Sequence, residues 1–169
     1  MRRIVPVFLI IVVLCYFSSC EKDDICVEGD TPLLIIGFFD VNDTTLAKTV
    51  PSLRIVETSE NIVVNTFTDR SSSLDSISIP LRITADATEF MFITDSADDD
   101  ENNETGTIDT LTFDYTVNEN FISRACGFVA NFNGLDTTRT VYSTDWIKGI
   151  SIQETDIEIS NAIHVKIFH

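Results

Sequence analysis

Three stretches of the chain alternate apolar and polar residues with a period of two. Ile77, Ile79, Leu81 and Ile83 alternate with Ser76, Ser78, Pro80 and Arg82. Leu111, Phe113, Tyr115 and Val117 alternate with Thr110, Thr112, Asp114 and Thr116. Ile163, Val165 and Ile167 alternate with His164, Lys166 and Phe168, which puts His164 on the polar face of a last strand. Successive side chains of a strand point to opposite faces, so each pattern predicts one face on a core and one toward water. Pro80 has no N–H to give to a ladder, which predicts an edge strand or a bulge there.

Leu33–Val41 is a more continuous apolar run and predicts a central first strand. Further strands are predicted over Leu53–Glu57, Ile62–Phe67, Glu89–Thr94, Phe121–Phe132, Thr138–Tyr142 and Ile147–Ile159. Phe121–Phe132 is expected to break near Gly127. Ile147–Ile159 is expected to kink, because Ile150 and Ile152 are out of phase with Ile157 and Ile159. No segment carries a sustained helical stripe. About eight or nine strands at short, turn-punctuated spacing predict an all-β fold. An antiparallel β-sandwich is the leading architecture, with immunoglobulin-like topology one option and a small barrel the alternative. There is no internal repeat and no second domain.

The strongest apolar run is at the start. Arg2 and Arg3 precede Ile4–Phe17, which carries no charge, and Ser18-Ser19-Cys20 follows. About 14 residues of helix span roughly 21 Å, short of the roughly 30 Å hydrocarbon core. The stretch therefore reads as a secretory leader and not as a permanent span. Glu21-Lys22-Asp23-Asp24 then ends any membrane segment. The expected organisation is a leader over 1–19, an acidic tether over 20–31 and one β domain over 32–169.

Phe17-Ser18-Ser19-Cys20 resembles a bacterial lipobox, in which small residues precede a cysteine that is diacylated and becomes the new N-terminus. Phe17 departs from the Leu or Val usual at its position. The resemblance implies lipidation of Cys20, and several acyl chains would hold the protein stably on a membrane. The alternative is ordinary cleavage with Cys20 left as a thiol. Lys22-Asp23-Asp24 resembles the surface-export signal of Bacteroidetes lipoproteins, which implies display on the outer leaflet of the outer membrane. A solvated acidic tether is the other reading of the same residues.

Charge narrows the partners. The formal net charge is −16, and it is more negative still once the two leader arginines are gone. Like charge repels, so nucleic-acid phosphates and anionic headgroups are poor partners. Of the four cysteines, Cys15 leaves with the leader and Cys20 takes lipid, which leaves Cys26 and Cys126. In an oxidising compartment a bridge between them is expected, with two unpaired thiols as the alternative. Closing a loop of about 100 residues contributes up to about 4.7 kcal/mol in the chain-entropy model. Two thiols, no CxxC and two histidines argue against a metal site.

Other chemistry is sparse. His164 and His169 have no partner in sequence that resembles a catalytic triad, and no GxSxG or phosphate-cradling loop is present. Asp95–Gly106, DSADDDENNETG, is polar and anionic and must be solvated. Its oxygens invite a calcium reading, but the EF-hand spacing is absent. A plain hairpin loop is preferred, with weak Ca2+ binding left open and no other cofactor expected. Trp146 and Tyr142 offer either a surface platform for sugar or protein, or core aromatics. Five Asp-Ser/Thr triplets resemble the O-glycosylation motif of exported Bacteroidetes proteins, which makes Thr44, Ser76, Ser96, Thr110 and Thr137 candidate acceptors. Turns leading into strands enrich the same residues.

The chain as a whole resembles the short flavobacterial (Bacteroidetes) outer-membrane lipoproteins of unknown function. The resemblance rests on the CEKDDIC start, Ala125-Cys126-Gly127-Phe128 and the closing His164-Val165-Lys166-Ile167-Phe168. It implies a small envelope domain and supplies no catalytic residues. The leading expectation is a non-enzymatic, surface-tethered domain that binds a protein or glycan as an accessory of an envelope complex. A periplasm-facing structural or assembly lipoprotein is the second expectation, and a carboxylate-based hydrolase the third.

Overall fold

The computed structural model describes residues 30–140 and 145–169. The described residues form nine strands: β1 Leu34–Phe39, β2 Arg54–Glu57, β3 Ile62–Val63, β4 Ser76–Ile79, β5 Ala87–Thr94, β6 Thr107–Ser123, β7 Gly127–Thr140, β8 Gly149–Ile152 and β9 Val165–Phe168. They make a 4-stranded sheet in the order β4-β1-β9-β8 and a 5-stranded sheet in the order β3-β2-β5-β6-β7. The expected all-β sandwich is the fold, and the two sheets do not close into a barrel.

The core lies where the inner faces meet. Leu34, Ile36, Phe38, Ile77, Ile79, Val165 and Ile167 come from one sheet, and Ile55, Phe90, Phe92, Leu111, Phe113 and Phe132 from the other. Phe113 lies 6.2 Å from Phe90 and 6.5 Å from Phe92, ring centre to ring centre, in tilted and edge-on contacts that aromatic quadrupoles favour. The period-two pattern of β6 buries Asp109, Leu111, Phe113 and Tyr115 in turn, and then stops. From Asn118 to Ile122 every residue is exposed, so the far half of the β6–β7 hairpin projects beyond the core.

Several expectations change once the strands are paired. β1 is central, between β4 and β9, but its pairing with β9 is parallel: Ile36 faces Val165 and Phe38 faces Ile167. The sandwich is therefore not wholly antiparallel. β1 and β2 lie in different sheets, which departs from the immunoglobulin order. Ile77–Ile83 does not run as one strand. β4 is an edge strand that stops before Pro80, whose missing N–H ends the ladder. Ile62–Phe67 contributes only the two-residue β3, and Phe67 packs on the core from a loop. Phe121–Phe132 breaks before Gly127 as expected, but the break is the turn of a hairpin whose strands begin at Thr107 and end at Thr140.

The out-of-phase isoleucines have a clear cause. Ile150 and Ile152 belong to β8, whereas Ile157 exchanges backbone hydrogen bonds of 2.7 and 3.1 Å with Phe132 in the other sheet. The chain crosses between sheets there and covers part of the β7 edge. His164 is not on a polar face. It precedes β9 and is 0% exposed. Its Nδ1 accepts the Ile35 N–H at 2.9 Å, and its Nε2 lies 3.1 Å from the Ile159 carbonyl oxygen. An acceptor Nδ1 leaves the proton on Nε2, so the ring is neutral. Burial lowers its pKa, opposed by the Ile159 carbonyl and Glu154.

Candidate functional site

Two features stand apart from the core. The first is a groove of about 410 Å³ on the outer face of the larger sheet, with Met91 and Ile108 in its floor and Arg54, Asp98 and Glu104 at its rim. The loop after β3 brings a second arginine to it. Arg70 has a positive φ of 57°, and its N–H donates to the Leu53 carbonyl at 2.8 Å, which pins the loop to the start of β2. Its guanidinium then donates to both Asp98 oxygens at 2.8 and 2.5 Å, and its Nε to the Ser96 hydroxyl at 3.0 Å. Bidentate pairing of this kind fixes orientation as well as charge.

Glu104 completes the cluster. It accepts from the Ser96 hydroxyl at 2.7 Å, the Ala97 N–H at 3.1 Å and the Gly106 N–H at 2.9 Å. Arg54 and Arg70 lie 3.5 and 3.6 Å from its Oε2. The Arg70 hydrogen bonds hold Asp98 below the ordinary aspartate range. Burial pushes Glu104 up, but the Gly106 N–H, the Ser96 hydroxyl, the Ala97 N–H and Arg70 outweigh it and lower the pKa. Both acids are thus carboxylates at neutral pH. They can bind cations or N–H donors, and neither is tuned to give a proton.

The acidic loop is largely consumed by its own architecture. Asp99 Oδ1 accepts the N–H groups of Glu101 and Asn103 at 2.9 and 2.8 Å, and Asp98 and Glu104 face the arginines. Among the described residues there is no group of three or more His, Cys, Asp or Glu placed to hold a metal ion.

The second feature is the projecting end of the β6–β7 hairpin. Phe121 pairs with Phe128 across the strands, their ring centres 5.4 Å apart, and the two are 59% and 67% exposed. Ile122 and Arg124 are exposed beside them. The turn closes with the Cys126 N–H donating to the Ser123 hydroxyl at 3.0 Å and Gly127 at a φ of 73°. Cys126 is disulfide-bonded. Among the described residues there is no second cysteine. The hairpin also borders a cleft of about 780 Å³ whose opposite wall includes Asp30–Leu33. The Leu33 N–H is held there by the Ser160 hydroxyl at 2.6 Å.

The positions singled out from the sequence scatter over the molecule. Cys20, Lys22, Asp23, Asp24, Cys26 and Tyr142 lie outside the described residues. Thr44 and Ser76 are exposed, and Thr110 and Thr137 are half-buried in strands. The Thr137 hydroxyl is shut off from solvent. Ser96 is 3% exposed with its hydroxyl bound to Arg70 and Glu104, so it is not open to a glycosylating enzyme in the folded domain. Trp146 is a core-edge residue and not a platform: it is half-buried, packs 6.3 Å from Phe38 and donates its indole N–H to the Phe92 carbonyl at 3.0 Å. Arg54 and Arg70 were not legible as a pair, because their convergence depends on the loop geometry. Buried Asp109 was equally hidden. Its Oδ2 accepts the N–H groups of Trp146 and Ile147 at 2.9 and 2.8 Å, and burial raises its pKa.

The fold and these two features define a small two-sheet β domain with a charged groove on one face and an apolar hairpin at one end. The chain belongs to DUF6452, a family of unknown function whose model matches residues 52–169. The match takes in the groove and the hairpin and leaves β1 outside. No curated protein and no solved structure matches the chain. Among the described residues no helix is long and apolar enough to cross a membrane.

Proposed function

We propose that the chain is an outer-membrane lipoprotein of the Bacteroidetes type. Its β domain is displayed at the cell surface and binds a protein or glycan partner without catalysing a reaction. The observation that carries this reading is the order of features at the start: Arg2-Arg3, the uncharged Ile4–Phe17, Ser18-Ser19-Cys20 and then Lys22-Asp23-Asp24. Cys20 is the acylated residue, and the three that follow at one remove form the export signal. A disulfide at Cys126 fits an oxidising compartment outside the cytoplasm. With Cys15 lost and Cys20 acylated, Cys26 is the thiol left to pair with it. The exposed hydroxyls of Thr44 and Ser76 are the acceptors that suit O-glycosylation of the folded domain.

The groove supports binding over catalysis. A two-carboxylate hydrolase needs one acid kept protonated near neutral pH. Asp98 and Glu104 are instead both held as carboxylates by arginines and N–H groups. An apolar floor of Met91 and Ile108 under a charged rim suits a partner that covers it with mixed surface. No cofactor is needed.

Protease shaving of intact cells tests the location. The wild-type domain is expected to be digested, and a variant with Ala at Lys22, Asp23 and Asp24 to be protected. Protection of both would place the domain in the periplasm and move its role to envelope structure or assembly. Sedimentation with outer-membrane vesicles from cells lacking the chain tests the groove. Saturable binding that Met91→Asp abolishes is expected, and binding unaffected by Met91→Asp would remove the groove as the contact.

A further inference from the structure

We propose that the end of the β6–β7 hairpin is a membrane-facing element, with Phe121, Ile122 and Phe128 set into the bilayer surface beside the lipid anchor. The inference rests on the Cys20 anchor reading and goes beyond it by assigning an orientation to the domain.

Composition is the first ground. From Asn120 to Leu135 there is no Asp or Glu, in a chain with 27 of them, and the one charge at the tip is Arg124. A formal net charge of −16 would drive most of the domain away from a lipid surface, and the tip itself is spared that repulsion. The acids beside it are Glu119 on β6 and Asp30 and Glu158 across the cleft. Phe121 and Phe128 are 59% and 67% exposed and meet edge to face across the strands. Adjoining exposed aromatic side chains on an otherwise polar domain mark a contact surface, and aromatic residues beside a cation suit the headgroup boundary.

Connectivity is the second ground, and it selects the occupant. Cys126 sits in the turn between the two phenylalanines, and the bridge to Cys26 expected from the sequence would tie this tip to the N-terminal segment. All three of the remaining cysteines lie at Cys15, Cys20 and Cys26. Cys26 lies six positions after the acylated Cys20, a reach of about 20 Å when fully extended. The chain also enters the domain beside this hairpin, where Asp30–Leu33 form the facing wall of the cleft. The first described residues and the apolar tip thus meet at one end of the molecule. The charged groove lies away from the tip in sequence, on loops and strands that carry the acids.

The test uses the full mature chain, purified with its acyl groups and reconstituted in phosphatidylcholine vesicles. Phe128→Trp adds a reporter at an exposed position that can accept it, and the wild-type spectrum, from Trp146 alone, is subtracted. The added emission is expected to be blue-shifted, quenched by lipids brominated on their acyl chains and shielded from aqueous iodide. Emission quenched by iodide and untouched by bromine would overturn the proposal. Shielding from both quenchers would overturn it too, in favour of a protein contact at the tip. Intact mass of the same sample separates the two readings. A mass without acyl groups defeats the anchor, while the quenching pattern with vesicles still decides whether the tip enters lipid.

Discussion

His164 shows how one side chain joins distant parts of the molecule. Its ring takes the Ile35 N–H at 2.9 Å from β1 and faces the Ile159 carbonyl at 3.1 Å, which binds the entry to β9 onto the first strand. Burial lowers its pKa below the ordinary value of 6.5. A histidine depressed in this way contributes stability that is present above 6.5 and lost as pH falls from there toward the folded value. Glu154, 3.9 Å from Nε2, softens that loss without removing it. His164→Leu is expected to cost about 1–3 kcal/mol at pH 8 by leaving the Ile35 N–H unpaired. It should also flatten the fall in stability just below pH 6.5, apart from what His169, shifted the same way, supplies. Urea denaturation at pH 8, 6.5 and 5.5 would show it, and an unchanged slope would contradict the assignment. Asp40 acts in the opposite range. The Asn42 N–H and Lys48 hold it down at about 2, so its contribution persists above the ordinary aspartate value and disappears only in strong acid.

At the scale of the element, the β6–β7 hairpin is two structures in one. Its first half is core: Leu111 and Phe113 are buried between β5 and β7, with register running from Ala87–Asp114 to Thr94–Thr107. Its second half is exposed along β6 from Asn118 to Ile122, keeps Val129 and Ala130 buried on β7, and depends on the pairing of the two strands. Gly134 marks the change. It has a φ of 67°, and the ladder skips between Asp114 and Thr116, as a bulge requires. Gly106 at the start of β6 serves packing instead. A Cβ there would lie 2.6 Å from Ile93 Cγ2 and 2.7 Å from the Thr94 carbonyl oxygen. Two alanine variants should therefore behave differently. Gly134→Ala meets no atom within 4 Å and pays only the left-handed conformation, about 1–2 kcal/mol. Gly106→Ala must move backbone and is expected to lower the melting temperature further. Calorimetry on both decides it, and equal losses would refute the packing argument.

For the molecule as a whole, the question is how a domain of this acidity is held in one orientation. Two sheets enclose a core rich in phenylalanine and isoleucine, and apart from buried Asp109 the acids lie toward the outside, many of them held in turns and arginine pairs. The bridge proposed at Cys126 would act on a hairpin whose β6 strand is exposed from Asn118 to Ile122. Non-reducing peptide mapping is expected to yield one cross-linked peptide containing Cys26 and Cys126. Cys126→Ser should reduce stability by up to about 4.7 kcal/mol, the chain-entropy value for a loop of about 100 residues. A cross-link to any other cysteine would require the anchor to be reassigned.

The sandwich was legible in the alternation of β4, β6 and β9, because a residue's side of a strand follows from parity alone. The apolar continuity of Leu34–Phe39 likewise foretold a strand with neighbours on both sides. Parity could not say which strands pair. The parallel contact of β1 with β9 joins residues some 130 positions apart, as the Ile35–His164 hydrogen bond does, and no local pattern encodes such a meeting. His164 was misplaced for that reason, since alternation counted it as outward while the crossing chain carried it inward. The groove depended on tertiary structure in the same way: Arg54, Arg70, Asp98 and Glu104 are ordinary surface charges until β2 and two loops bring the arginines within 4 Å of the acids. The leader and its cysteine are the reverse case. Their meaning lies in the order of residues read along an extended chain, so it is written in the sequence and owes nothing to the fold.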